Sequence, residues 1–185
     1  MTHNLGTDTQ SMIVGGASKA SRTVWITKSE DDGATWSKPA DITRDVKKPD
    51  WTWYATGPGV GIQTKSGRLV IPCDNQVQGT KAQQSHVIYS DHGGNSWQIG
   101  GIVGPKCNES QIVELNSGNL LLNIRSYRGN HCRLTALSKD GGVTFAPPVE
   151  DQILIEPVCQ ASIIRYPTQP GCLIFLIPPA SSARS

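Results

Sequence analysis

Long apolar runs are missing from this sequence of 185 residues, and none approaches the roughly 18 that a membrane-spanning helix needs. Charge is also scarce: 17% of residues are Asp, Glu, Lys or Arg, and the net charge is only +2. Lys and Arg are scattered, so no basic surface for nucleic acid is expected. There is no Cys-x-x-Cys pair among Cys73, Cys107, Cys132, Cys159 and Cys172, which argues against a structural zinc site. Five cysteines leave at least one unpaired, and most are expected to be small buried residues in strands. The first residues, Met-Thr-His-Asn-Leu-Gly, lack the order of a secretory signal, so either the protein stays inside or its start is missing; a secreted or lysosomal parent is compatible with the second case. No stretch carries the apolar stripe of an amphipathic helix. Helical bundles, membrane spans and nucleic-acid modules are thereby set aside.

What is present repeats. Ser29-Glu-Asp-Asp-Gly-Ala-Thr-Trp36, Ser90-Asp-His-Gly-Gly-Asn-Ser-Trp97 and Ser138-Lys-Asp-Gly-Gly-Val-Thr-Phe145 follow one pattern, Ser-x-Asp-x-Gly-x-Thr-aromatic, with His92 and Ser96 as departures. Between them comes a second cue, a Gly turn opening an apolar strand, at Gly67, Gly118 and Gly171. Each box reads as a tight hairpin in which Ser and Asp side chains bond backbone amides, Gly supplies positive φ and the aromatic packs back on the strands. Strands are predicted at Thr23–Lys28, Ser85–Tyr89, Ile112–Leu115, Asn119–Ile124, Cys132–Leu137, Ala161–Tyr166 and Cys172–Ile177. Short strands in units of about 50 residues predict an all-β fold, a β-propeller of which this chain supplies three to four blades.

Chemistry concentrates in Cys107-Asn-Glu-Ser-Gln-Ile-Val-Glu-Leu115, the turn Asn116-Ser-Gly118, and Asn119-Leu-Leu-Leu-Asn-Ile-Arg-Ser126. The turn joins two strands, so Glu109 and Arg125 fall at the same edge of a hairpin. Strand alternation places Asn123 and Arg125 on one face and Leu122 and Ile124 on the other, leaving the arginine free to point into a cavity. An exposed surface pair of little energetic consequence is the alternative from spacing alone. Trp51-Thr-Trp-Tyr-Ala-Thr-Gly-Pro-Gly59 either lines a sugar pocket or packs blades together; Tyr54 is the residue of this run expected at the pocket.

The string Asn-Glu-Ser-Gln-Ile-Val-Glu-Leu, a Gly turn and Leu-Asn-Ile-Arg-Ser, set between two boxes, resembles the exo-α-sialidase (neuraminidase) family. The segments at 53–63 and 179–184 are similar to family segments in the same order, so the likeness covers nearly all of 1–185 as part of a catalytic domain. The resemblance implies a six-bladed propeller hydrolysing terminal sialic acid from glycoproteins, gangliosides and oligosaccharides with retention, and no cofactor. Such enzymes hold the sugar carboxylate with three arginines and use a tyrosine nucleophile activated by a Glu. On that pattern Glu109 is the catalytic base, Arg125 the second arginine and Arg184 the third; Tyr54, read from the aromatic run, is expected as a further substrate-binding residue. The first arginine, the Asp acid and the tyrosine nucleophile have no counterpart in this chain. An inactive sialidase fragment or a sialic-acid-binding module is therefore the alternative reading. With two sheet edges left unpaired, a wedge of three blades is expected to be poorly soluble or domain-swapped when isolated.

Overall fold

The computed structural model describes all residues except Met1, Leu5, Lys81 and 179–185, and only the backbone of Thr2 and His3. Among the described residues, fourteen strands and two one-turn helices run in the order β1 (Thr2–His3), α1 (Gln10–Val14), β2 (Thr23–Ile26), β3 (Ala40–Asp41), α2 (Thr43–Val46), β4 (Trp51–Thr56), β5 (Ile62–Gln63), β6 (Leu69–Val77), β7 (Gln83–Ser90), β8 (Gln98–Val103), β9 (Cys107–Glu114), β10 (Leu120–Ser126), β11 (Cys132–Ser138), β12 (Val149–Ile155), β13 (Ser162–Arg165) and β14 (Leu173–Leu176). All their pairings are antiparallel, in four sheets. The sheets are β1-β2-β3, β4-β6-β7-β8 with β5 beside β6, β9-β10-β11-β12 in meander order, and the pair β13-β14. These antiparallel sheets are the blades of an all-β propeller, as the repeat spacing predicts. Among the described residues no helix is long and apolar enough to cross a membrane.

The apolar faces of successive blades form the core. Val24, Val46, Trp51, Tyr54, Cys73, Ile88 and Trp97 pack between the first and second sheets. Val70, Val87, Tyr89 and Val103 meet Cys107, Ile112, Leu120, Leu122, Ile124, Leu134 and Ala136 between the second and third. Each Val, Ile or Leu among them contributes about 1.5–3 kcal/mol on burial. All five cysteines are free thiols; Cys73, Cys107 and Cys132 are buried and Cys159 and Cys172 half-buried.

The boxes are hairpin turns held by their own polar groups. In the first, Ser29 Oγ accepts from Gly33 N at 2.8 Å, while Asp31 accepts from Thr35 N at 2.8 Å and Thr35 Oγ1 at 2.6 Å. The third repeats this with Ser138, Asp140, Gly142 and Thr144. Threonine hydroxyl and backbone donors hold the Asp31 and Asp140 carboxyls down at about 2. In the second box His92 Nδ1 meets Ser96 Oγ at 2.6 Å, so imidazole and serine replace carboxylate and threonine. The neighbouring Asp91 instead takes a two-pronged bond from Arg68, at 2.7 and 2.9 Å. Trp97 is buried and Phe145 packs on the core, as the repeat predicts. Trp36 does not: it is 63% exposed, because its box closes only the short β2-β3 ladder.

Candidate active site

Two strands bring Glu109 and Arg125 together. Ile124 pairs with Ser110 and Ser126 with Cys107, so Arg125 alone on β10 faces both Asn108 and Glu109 on β9. A bulge of this kind kinks the ladder and re-aims side chains. Arg125 Nη1 donates to Glu109 Oε2 at 2.7 Å, and the two side chains are 25% and 27% exposed. At that exposure the pair adds about 1 kcal/mol to stability at most, so its importance lies in position. Burial works against the Arg125 charge, but the bond to Glu109 and the negative neighbours outweigh it and raise its pKa. Among the described residues Glu109 is the guanidinium's hydrogen-bond acceptor, through one of its five donors, and Nε has no partner.

A cavity of about 420 Å³ opens at this pair. Trp53, Ala55, Asp74, Gln76, Asn108 and Tyr127 form much of its wall, with Pro58 at its edge. The Arg125 guanidinium lies 5.1 Å from the Tyr127 ring centroid, and Tyr127 Oη donates to Asn108 Oδ1 at 3.3 Å. Trp53 Nε1 donates to Asp74 Oδ2 at 2.9 Å. Burial pushes the Asp74 carboxyl up to about 7; the indole bond and the charges of Arg22 and Arg125 oppose the rise, while Glu109 adds to it.

Tyr54 is not part of this wall. It is fully buried, its hydroxyl 3.5 Å from Cys73 Sγ, with its ring edge-on to His86 at 5.0 Å. The cause is alternation along β4. Trp53 and Ala55, paired with Gln76 and Asp74, face the cavity, whereas Tyr54, paired with Asn75, turns to the core. A register shift between Trp51 and Trp53 puts Trp51 beside Tyr54, so Trp53 alone of the three aromatics reaches the cavity. Arg184 lies outside the described residues.

A buried pair supports the arginine strand. Arg133 Nη1 donates to Glu156 Oε2 at 2.5 Å and Arg133 Nε to Asn123 Oδ1 at 2.7 Å, while Glu156 Oε1 accepts from Ser126 N at 2.7 Å. Both partners are wholly buried. Asn123 and Ser126, which flank Arg125 on β10, are thereby tied to β11 of the same sheet and to the segment that follows β12. No sequence motif announced this pair, since a lone Arg in an apolar strand and a Glu before Pro are common surface patterns. Asp74 was equally hidden, in an apolar run ending Pro-Cys-Asp-Asn-Gln.

Comparison with known proteins places the chain. Residues 9–179 match the BNR repeat-like domain. It is 38% identical over 149 residues to a sialidase of Bacteroides fragilis (strain YCH46), covering 80% of this chain and 27% of that protein. This chain belongs to the sialidase family of BNR-repeat proteins. An exo-alpha-sialidase of Aspergillus fumigatus is 34% identical over 165 residues, covering 88% of this chain and 37% of its own length. Among solved structures, the Hadza microbial sialidase Hz136 superposes with a TM-score of 0.73 at 35% identity, over 79% of this chain and 28% of that one. The intramolecular trans-sialidase from Ruminococcus gnavus in complex with oseltamivir carboxylate gives 0.69 at 28%, over 80% and 30%. The chain therefore spans between 27% and 37% of the length of these curated sialidase relatives.

Proposed function

We propose that the protein is an exo-α-sialidase acting on sialylated glycoconjugates, and that this chain supplies one wall of its active site. The observation that carries the proposal is Arg125, half-buried at the cavity with most of its fork uncommitted and joined to Glu109 at 2.7 Å. A planar guanidinium matches a carboxylate with two parallel bonds, and sialic acid bears a carboxylate on its anomeric carbon. A family relative of known structure holds oseltamivir carboxylate, a ligand with the same acid group.

In this reading Arg125 turns part of its fork to the substrate acid, and Arg184 adds a second. Glu109, kept next to Arg125 by the β9 bulge, withdraws the proton of a tyrosine nucleophile lying beyond this chain. A neutral phenol avoids the repulsion that a carboxylate nucleophile would meet at a carbon bearing a carboxylate. The phenolate bonds to the anomeric carbon as the glycosidic bond breaks and the aglycone leaves with a proton from an acid outside this chain; water then cleaves the sugar–tyrosine bond and restores the original configuration.

Substitution of Arg125 by Ala in the sialidase-active protein tests this. Loss of a charge-assisted clamp on the transition state is expected to lower kcat/KM on a fluorogenic sialoside by at least a hundredfold. Turnover within a factor of two of wild type removes the assignment. Sialic acid binding without release of the fluorophore, in wild type, makes the protein a binding module.

A further inference from the structure

Two lining residues of the cavity carry opposite chemistry. Arg125, on β10, offers donors. Asp74, on β6, is 2% exposed, and while its Oδ2 accepts from Trp53, its Oδ1 has no hydrogen-bond partner among the described residues. A carboxylate oxygen buried without a donor is costly, and native proteins rarely leave one so.

The surroundings narrow what the missing donor is. Glu109 on β9 raises the negative potential at Asp74, Arg125 on β10 and Arg22, in the segment before β2, lower it, and Tyr54 and Cys73 lie behind. Gln76 and Asn108 line the same wall as uncharged amides. A second acid at Oδ1 would be repelled by Asp74 and Glu109, and a cation there would be opposed by Arg22 and Arg125, so a neutral donor fits best.

We propose that Asp74 is a ligand-binding residue of this cavity, its Oδ1 accepting a hydrogen bond from a neutral hydroxyl or amide N–H of a polyhydroxylated acid whose carboxylate is held by Arg125. The proposal rests on the reading of Arg125 given above and deepens it. The site then selects for a ligand with an acid at one end and a neutral donor at the other, and rejects diacids.

Trp53, bonded to Asp74 in the cavity wall, provides the readout. The ligand-induced change in fluorescence of the 185-residue chain, assigned among its five tryptophans to Trp53 as the part lost in Trp53→Phe, is followed at submicromolar concentration against two ligands. One is dehydro-sialic acid, a stable unsaturated analogue with all its hydroxyls and its amide. The other is dihydropyran carboxylate, the same ring and acid without them. Asp74→Asn keeps an oxygen for the Trp53 bond but turns the other position from acceptor to donor. It is expected to weaken dehydro-sialic acid at least tenfold and leave dihydropyran carboxylate within twofold, whereas Arg125→Ala weakens both. Equal effects of Asp74→Asn on the two ligands, or none on either, overturn the assignment. An Arg125→Ala protein with full affinity for both overturns instead the reading of Arg125.

Wild type carries a second readout that needs no variant to fold. A donor to Oδ1 favours the ionised carboxyl, which burial otherwise holds at about 7. Affinity for dehydro-sialic acid, taken relative to dihydropyran carboxylate, is expected to fall severalfold from pH 8 to pH 5.5. A ratio independent of pH overturns the proposal.

Discussion

At the scale of single residues the site is a set of charges held at different depths. Asp74 and His86 are both buried in the blade that carries β6 and β7, and their protons respond in opposite senses. Burial, helped by Lys48, lowers His86 to about 3, so the imidazole stays neutral and its Nδ1 faces Asn75 Nδ2 at 3.0 Å. That contribution to stability is complete above the ordinary histidine range and is lost as pH falls toward about 3. For Asp74 the sign reverses. Its folded pKa of about 7 lies above the ordinary carboxyl value of 3.8, so the fold is favoured below 3.8 and the advantage is lost as pH rises through 7. Wild type should therefore lose stability relative to Asp74→Asn across that window, by about 1.4 kcal/mol for each pH step over which the carboxyl is ionised in the unfolded chain and protonated in the fold. Urea titrations of both proteins at pH 4.5 and 7.5 measure it, with the difference between them larger at the higher pH. A difference that stays constant would mean that the carboxyl titrates normally in the fold.

At the scale of elements, turns and bulges decide what alternation alone does not. The boxes were legible because the Ser, Asp and Thr groups that shape the first and third bond within four residues, and such local chemistry is written in the sequence. The meeting of Glu109 and Arg125 was legible because one Gly118 turn fixes the register of β9 on β10. Tyr54 was misplaced because its side is set by pairing with Asn75 and by the shift at Trp51, both of which depend on residues twenty or more positions away. Asp74 and the Arg133–Glu156 pair were invisible for the same reason.

The turn Gly57-Pro58-Gly59 shows how tightly neighbouring blades are joined. Pro58 O accepts from Gln111 Nε2 at 2.7 Å and from Gln160 Nε2 at 2.6 Å, so two side chains from later blades grip one carbonyl at the cavity edge. A methyl group on Gly57 would lie 2.8 Å from Ser110 O and 3.2 Å from Pro72 O, both backbone atoms that cannot swing aside. Gly57→Ala is expected to cost about 1–3 kcal/mol by overpacking. Gly118, at φ 83° with nothing near its missing side chain, supplies the comparison. There Ala meets only backbone strain of about 1 kcal/mol. Thermal midpoints rank them, and a Gly57→Ala protein at least as stable as Gly118→Ala would show that the β6–β9 junction can open.

For the whole molecule, the balance between buried and open sheet faces governs behaviour in solution. The interior blades are covered on both sides, but β13-β14 turns Ile164, Ile174 and Leu176 outward, at 47%, 38% and 64% exposure, with Tyr166 next to them. Ile153 and Val149 on the outer strand β12 are 89% and 61% exposed. A row of apolar side chains on a two-stranded sheet that pairs with no further strand among the described residues is a template for pairing with another chain. The occupant expected when these 185 residues are produced alone is a second copy, since the same edge and the same apolar face then meet their own image. Light scattering after size exclusion should show mass rising with protein concentration. Ile164→Lys combined with Leu176→Lys should shift the population toward monomer without moving Trp53 or the cavity, because both residues lie on the outward face of β13-β14. A chain that stays monomeric at every concentration, or a double variant that associates as wild type does, would sink this account and leave the open blade stable in water on its own.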